Sequence, residues 1–179
     1  MRSCLFVLLL VACGGPEPTA TSTAQPLANE PAYAALDAAS RDAVDRSPVP
    51  VLLLPADYAA DAQVMVGPRW LAVAWSRDGL TLNLHATDAA GPSLSEEELQ
   101  RLPPASHEVR GVPARTTVND GIRSVAWEHE GVAYSLEAEC ADVSEDVRCA
   151  APTFLLELAD ALVALPSTFD RGARRGGAR

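Results

Sequence analysis

Hydrophobic and polar side chains alternate with a period of two in two stretches of the chain that resemble each other. Val73–Ala86 returns 52 positions later as Val125–Ala138, with six of the fourteen positions identical and no gap. In each copy the alternation is interrupted by a turn dipeptide, Asp78-Gly79 or Glu130-Gly131. Apolar alternation on both sides of such a dipeptide is typical of a β-hairpin. The sequence therefore predicts a duplicated hairpin.

The side-chain pattern also predicts the register of each hairpin. A two-residue loop at Asp78-Gly79 pairs Trp75 with Leu82, which gathers the large apolar residues on one face. The opposite face then carries Ser76, Thr81, Asn83 and His85. The same register in the second copy pairs Trp127 with Tyr134 and Val125 with Leu136. Glutamate is less suited than aspartate to a turn that needs positive φ, so the sequence favours that conformation more at Asp78 than at Glu130.

One further strand precedes each hairpin at the same offset. Gln63–Val66 precedes the first copy, and Arg115–Val118 precedes the second. Each repeat, 63–87 and 115–139, is therefore predicted to form a three-stranded meander. Glu108–Arg110 is predicted to add an extra strand before the second meander. The Asp88–Ala105 connection contains Ser95 followed by Glu96–Glu98, which resembles a helix capping box.

The remaining periodic segments predict helices at both ends. Ala32–Arg46 places Tyr33, Leu36, Ala43 and Val44 on one helical face. Val51–Leu54 reads as a short buried strand between prolines, and Thr153–Leu165 as a strongly apolar final helix with Thr153 as its cap. We therefore expect an α+β fold: an antiparallel sheet of about six to eight strands, with an N-terminal and a C-terminal helix packed on one face. Residues 32–166 are predicted to form a single domain.

The first 31 residues are expected to direct export and localisation and to lie outside the folded domain. Residues 1–12 resemble a secretory signal peptide, with a basic start and an apolar run at Leu5–Ala12. Leu10–Cys13 resembles the lipobox of bacterial lipoproteins, which implies cleavage before Cys13 and lipidation of its thiol; an ordinary signal peptide is the alternative. Residues 13–31 are then a lipidated cysteine and a disordered tether. By the same resemblance Gly14 favours the outer membrane, on the periplasmic side, where the organism has one.

Four cysteines are present in the sequence. Cys4 lies in the predicted signal peptide and Cys13 in the lipobox, which leaves Cys140 and Cys149. In an exported chain this pair is expected to form a disulfide bond. The alternative, a thiol pair for redox or metal chemistry, lacks a C-x-x-C spacing.

The net charge of the chain limits the classes of molecule that it is expected to bind. The formal net charge is −10, and all fourteen basic residues are arginine. This acidity argues against nucleic acid as a partner. Residues 167–179 are rich in arginine and glycine, and we expect a disordered tail there, with contact to anionic lipid headgroups as the alternative.

The sequence offers little chemistry for a catalytic, metal or cofactor site. His85, His107 and His129 are scattered, and no zinc-protease, nucleophile-elbow or phosphate-loop motif is present. Asp142, Glu145 and Asp146 lack the regular spacing of a calcium loop. We therefore predict no catalytic residue, no metal site and no cofactor.

A polar sheet face is the better candidate for function. The register places Trp75 and Trp127 in the core and leaves Trp70 as the tryptophan most suited to a surface. We predict an interaction surface formed by Trp70, His85, Glu128 and Glu137. A protein partner with a basic patch would suit the acidic part of this surface.

The second half of the chain contains Val109–Gly111, Ala114-Arg115, Ala126-Trp127, Glu130-Gly131, Tyr134–Leu136 and the helix at Leu155–Leu165. In this pattern it resembles a small α+β domain of unknown function. Such domains occur in the extracytoplasmic parts of anti-sigma factors and in envelope lipoproteins. The Cys140–Cys149 pair departs from this pattern. The resemblance implies a non-catalytic interaction or sensing module anchored to a membrane by lipid. A carrier or chaperone for an apolar ligand or lipoprotein, and an envelope hydrolase, are the alternatives.

Overall fold

The computed structural model describes residues 29–88, 104–143 and 145–166. Within these residues the chain is α+β, as predicted. The helices are α1 Pro31–Ala35, α2 Ala38–Asp45, α3 Ala56–Ala59, α4 Val147–Ala150 and α5 Thr153–Asp160. The strands are β1 Leu52–Leu53, β2 Gln63–Gly67, β3 Trp70–Arg77, β4 Leu80–Thr87, β5 His107–Val109, β6 Val112–Asn119, β7 Ile122–His129, β8 Val132–Cys140 and β9 Val163–Ala164. In the described part of the chain, no helix is both long enough and apolar enough to span a bilayer.

Seven strands form one antiparallel sheet in the order β2-β3-β4-β8-β7-β6-β5. The predicted meanders are β2-β3-β4 and β6-β7-β8, and β4 pairs with β8 to join them. The extra strand expected at Glu108–Arg110 is β5, which begins one residue earlier and ends one residue sooner. Each copy of the sequence repeat therefore forms one half of the sheet.

Both hairpin registers are confirmed. Trp75 pairs with Leu82 in the first copy, and Trp127 pairs with Tyr134 in the second. The two turns also share a conformation: φ is 51° at Asp78 and 52° at Glu130, each followed by a glycine with positive φ. Two successive positive φ values define the tight turn that matches the strand twist, so the less suitable glutamate does not alter the turn.

The apolar face of the sheet is buried beneath the helices and the small β1-β9 sheet. Leu82, Leu84 and Leu136 on this face are 0 % exposed, as is Leu53 of β1. Tyr58 of α3 makes an edge-to-face contact with Trp75, with ring centroids 4.9 Å apart. Both predicted core tryptophans are buried, Trp75 to 6 % and Trp127 to 4 % exposure. The helical layer thus covers one side of the sheet.

The predicted helix at Ala32–Arg46 is wrong in one respect, because the chain breaks it into α1 and α2. Leu36 has extended backbone angles, and the Asp37 carboxylate accepts a hydrogen bond from the Ser40 N–H at 2.6 Å. This cap starts a new helix at Ala38. Tyr33, Leu36, Ala43 and Val44 are nevertheless all buried, as their spacing predicted.

The end of the chain also departs from the prediction. The final helix ends at Asp160 and not at Leu165, because Val163–Ala164 turns into β9 and pairs with β1. The Leu165 N–H continues this pairing to the Val51 carbonyl at 3.0 Å. The N-cap position is occupied by Pro152, which has no side-chain capping hydrogen bond, and Thr153, the predicted cap, is instead the first helical residue. The apolar pattern correctly indicated a buried segment, but it continues past the end of the helix into β9.

The predicted disulfide bond between Cys140 and Cys149 is confirmed. It links the end of β8 to α4. Arg148 of α4 donates to both carboxylate oxygens of Asp146 and to the Asp78 carbonyl at 3.0 Å. The bridge and this arginine together attach the loop after β8 to the turn between β3 and β4.

Some predictions lie outside the described residues. These are the signal peptide, Cys13 and the tether as far as residue 28, the capping box at Ser95–Glu98, and the tail from residue 167.

Candidate interaction surface

The sheet surface opposite the helices carries all four residues of the predicted interaction surface, and we call it the open face. Trp70, His85, Glu128 and Glu137 lie on β3, β4, β7 and β8, and each is next in sequence to at least one buried residue of the core face. Trp70, His85 and Glu128 are exposed, and Glu137 is half-buried. The period-two pattern therefore placed these residues on the correct side.

The strand registers fix the spacing of the four residues. Trp70, Thr87, Ala133 and Glu128 form one row across four strands, so Trp70 and Glu128 are about 14 Å apart, three strand spacings. His85 lies opposite Ser135, while Glu137 lies opposite Asn83. His85 and Glu137 are therefore diagonal neighbours, about 7–8 Å apart between backbones. The pair occupies the centre of the sheet, and the other two residues lie nearer its rim.

Carboxylates dominate the charge of the open face. Glu108, Glu128, Glu137 and Glu139 lie on it, and among its described residues only Arg115 brings a permanent positive charge. Glutamates on neighbouring strands reinforce each other's potential, since their fields add at the surface. This face is therefore a source of negative potential.

The open face has mostly small side chains in its interior and larger apolar side chains at one rim. Alanines and serines occupy much of the interior, at Ala72, Ala74, Ser124, Ala126, Ala133 and Ser135. At the rim the Trp70 indole lies directly on Gly67, and a side chain at Gly67 would overlap the ring. Met65, on the same edge strand, is 50 % exposed, and Trp70 is 41 % exposed. The acidic open face is thus bordered on one side by an apolar, aromatic rim.

The centre of the open face contains the residue types of a hydrolytic triad but not its contacts. His85 has Ser135 opposite and Glu137 diagonally adjacent. A triad requires hydrogen bonds from nucleophile to base and from base to carboxylate. No hydrogen bond joins these three side chains in the described structure. Their surface is also open to water, so the arrangement lacks the enclosed site that such chemistry uses.

The other two histidines lie far from His85 in the sheet. His107 lies on β5 opposite Ala114, and His129 ends β7, with its Nε2 atom 4.0 Å from the Glu130 carboxylate. In the described ranges no three His, Cys, Asp or Glu side chains form a group that could hold a metal ion. Asp146, one of the acidic residues after β8, is committed to Arg148, and that hydrogen bond holds the pKa of its carboxyl below the usual value.

A cleft of about 470 Å³ opens where both sheet halves meet the segment before β1. Its lining comprises Pro48, Pro50, Arg69, Asp88, Glu130, Gly131 and Val132. The Arg69 guanidinium is already held by the Asp88 carboxylate at 2.8 Å. Nearby, burial raises the pKa of Tyr134 to about 12, and its hydroxyl donates to the Pro50 carbonyl. Sequence reasoning missed this cleft, because its walls come from segments with no shared local pattern.

Comparison with known proteins returned no match: no family model, no curated protein and no solved structure is significantly similar to this chain. The open face must therefore be interpreted from its own chemistry.

Proposed function

We propose that this chain is a lipid-anchored cell-envelope protein whose open face binds a protein with a basic patch. The observation that carries the proposal is the contrast between the two sides of one sheet. One side is closed by helices, and among the described residues the other presents four glutamates against one arginine. The sheet builds an acidic surface and leaves it accessible.

The shape of the open face supports a protein partner over a small molecule. Small side chains line much of its interior, which suits an extended contact and not an enclosed pocket. Trp70 offers an aromatic anchor of the kind that concentrates binding energy in protein interfaces. The glutamates would then set orientation and association rate, and their contribution would fall with added salt.

The lipid anchor rests on the sequence. The basic start, the apolar run and Leu10–Cys13 resemble a lipoprotein signal. Several acyl chains hold a protein stably on a membrane, whereas a single chain does so marginally. A soluble domain on a tether presents its open face within a limited distance of the membrane, where an envelope partner is concentrated. Resemblance to the anti-sigma-factor domain also favours an interaction or sensing role.

The test uses photo-crosslinking from a defined position on the open face. A photoreactive amino acid at Ala126, which is exposed on this face, should capture a partner in cells, whereas one at Ala161 behind the sheet should not. Replacing Glu128 and Glu137 with glutamine should reduce capture at Ala126. The matched control, Glu145→Gln with Glu157→Gln, makes the same charge change at exposed positions off the open face and should leave capture intact. Equal losses in both double variants would refute the proposed surface.

The two alternative functions receive less support from the geometry. A carrier needs space beneath the sheet, but Leu84, Leu136 and Leu53 are closely packed there with no exposed surface. A hydrolase needs the His85 neighbours to touch, and they do not. His85→Ala tests the hydrolase alternative, because it would abolish any hydrolytic turnover of the purified protein.

A further inference from the structure

The outermost strands of the two meanders, β2 and β6, are equivalent in the repeat, but their outer edges differ in how they are covered. β2 forms one edge. Its Val64 N–H, which points away from the sheet, donates to the Ser40 hydroxyl at 3.1 Å. The same hydroxyl donates to the Ala62 carbonyl at 3.3 Å, so α2 closes this edge. Covering an edge in this way prevents it from pairing with another chain.

The residue equivalent to Val64, 52 positions later, is Thr116 on β6. β5 covers β6 only as far as the pairing of His107 with Ala114. Residues 104–106 would lie opposite Arg115–Thr117 if β5 continued, but they form no ladder with β6. The second half of β6 is therefore an uncovered edge in the described structure.

The hairpin geometry identifies which main-chain groups this edge presents. Asn119 and Ile122 flank the two-residue turn between β6 and β7, so the N–H and C=O of Asn119 bond to β7. In an antiparallel ladder this direction alternates, which sends the N–H and C=O groups of Thr116 and Val118 outward. No hydrogen bond to these four groups occurs among the described residues. Val118 is also 54 % exposed, the second most exposed of the large apolar side chains described.

We propose that a second copy of this chain binds the uncovered edge by antiparallel pairing of β6 with β6. When Thr117 lies opposite the Thr117 of the second copy, Thr116 of each chain lies opposite Val118 of the other. All four outward groups of each edge are then paired, in four hydrogen bonds related by a two-fold axis through Thr117. A two-fold contact of this kind is self-complementary and closes at two copies.

The side chains fit the same register. On the open face Thr117 meets its own copy and Arg115 faces Asn119, so no like charges oppose each other. On the other side Thr116 covers the exposed Val118. β6 contains no acidic residue, which matters for a chain of net charge −10, since most other contacts between two copies would bring carboxylates together. The dimer would extend the sheet to fourteen strands and double the acidic open face.

Disulfide trapping tests both the contact and its register in the full chain, purified in detergent. Thr117→Cys should crosslink under mild oxidation to a species of twice the monomer mass, because non-hydrogen-bonded antiparallel pairs bring side chains close. The matched control is Met65→Cys, the equivalent exposed position on the covered edge, and it should crosslink at least tenfold less. Arg115→Cys should not crosslink with itself but should do so when mixed with Asn119→Cys. Crosslinking of Thr117→Cys at the Met65→Cys level, or failure of the mixed pair, would overturn the proposal.

A second variant removes the pairing without adding a thiol. Thr116→Pro deletes an outward N–H, a position where an edge strand tolerates proline. It should halve the mass measured by light scattering while leaving the melting temperature within a few degrees of wild type. Val118→Lys makes the same prediction and replaces it if the proline variant folds poorly. A wild-type chain that is monomeric at high protein concentration would also refute the dimer.

Discussion

Leu84 and Leu136 occupy the same position in the two copies of the repeat, and they lie directly opposite each other across the β4-β8 pairing. The pairs on either side of them are related in the same way: Leu82 pairs with Ala138, and their repeat equivalents, Tyr134 and Ala86, also pair with each other. A pseudo-two-fold axis therefore passes through the sheet between the two leucines. The axis relates the two meanders, and His85 and Glu137 are equivalent residues beside it. The two halves differ in charge at this point, where one carries His85 and the other Glu137.

The two buried tryptophans should matter more for stability than the exposed one. Trp75→Ala and Trp127→Ala should each lower the free energy of unfolding by about 3–5 kcal/mol, because each leaves a large cavity in a packed core. Trp70→Ala, at 41 % exposure, should cost clearly less. Urea denaturation of the three variants makes the comparison. Losses of equal size at all three positions would contradict the face assignment.

The turn at Glu130 should be improvable by one substitution. Its φ of 52° lies in the left-handed region, where Cβ crowds the following carbonyl oxygen and asparagine is better tolerated than glutamate. Glu130→Asn should therefore raise the free energy of unfolding by about 0.5–1 kcal/mol. Asp78→Asn, at the equivalent turn with φ 51°, should be nearly neutral. Chemical denaturation measures both, and a destabilised Glu130→Asn would show that the carboxylate itself supports the fold.

Reduction of the disulfide bond should weaken the fold without abolishing it. The bridge between Cys140 and Cys149 closes a short loop, for which loop entropy gives roughly 2.5–3 kcal/mol. The double variant Cys140→Ala with Cys149→Ala should melt at a lower temperature but keep the circular dichroism spectrum of a folded sheet. Loss of that spectrum at room temperature would mean that the bridge is required for folding.

Acid should release the contact between Asp146 and Arg148. Their hydrogen bond lowers the pKa of Asp146 below 3.8, so the folded state binds this proton less readily than the unfolded state. The stabilisation is present above the unfolded pKa and is lost as the pH falls through the lower, folded value. Asp146→Asn should thus reduce stability at neutral pH and flatten the decline in unfolding free energy as the pH falls below the unfolded pKa. An unchanged slope would mean that other carboxylates control the acid transition.

The lipid anchor can be tested independently of the fold. Cys13→Ala should move the protein from the detergent phase to the aqueous phase in a detergent partition assay, because acylation is the proposed source of membrane affinity. A wild-type protein that already partitions into the aqueous phase would contradict the lipobox interpretation.

Local patterns predicted the sheet halves well, because a two-residue loop and a period of two leave only one register that separates Trp75 and Leu82 from Thr81 and His85. Patterns could not show the β4-β8 pairing, because it joins residues far apart in sequence. They could not show the β1-β9 pairing either, because each of these strands has only two residues, too few for a recognisable period. The break at Asp37 depended on a single capping contact within an otherwise helical pattern. For the candidate surface, alternation assigned Trp70, Glu128 and Glu137 to one face. Their mutual spacing needed the strand order, and the cleft at Pro48 and Pro50 needed the whole fold.

The contact between Trp70 and Gly67 gives the molecule an optical reporter on its open face. The chain contains three tryptophans, and the other two are sealed in the core. Trp70 is therefore the indole most accessible to a collisional quencher such as iodide, and the red edge of the emission spectrum belongs mainly to it. A ligand that settles on the open face would shield this ring and shift that part of the emission to shorter wavelength. Binding to the open face can thus be followed in the unlabelled protein by the fluorescence of Trp70, whose ring lies on the backbone of the neighbouring strand.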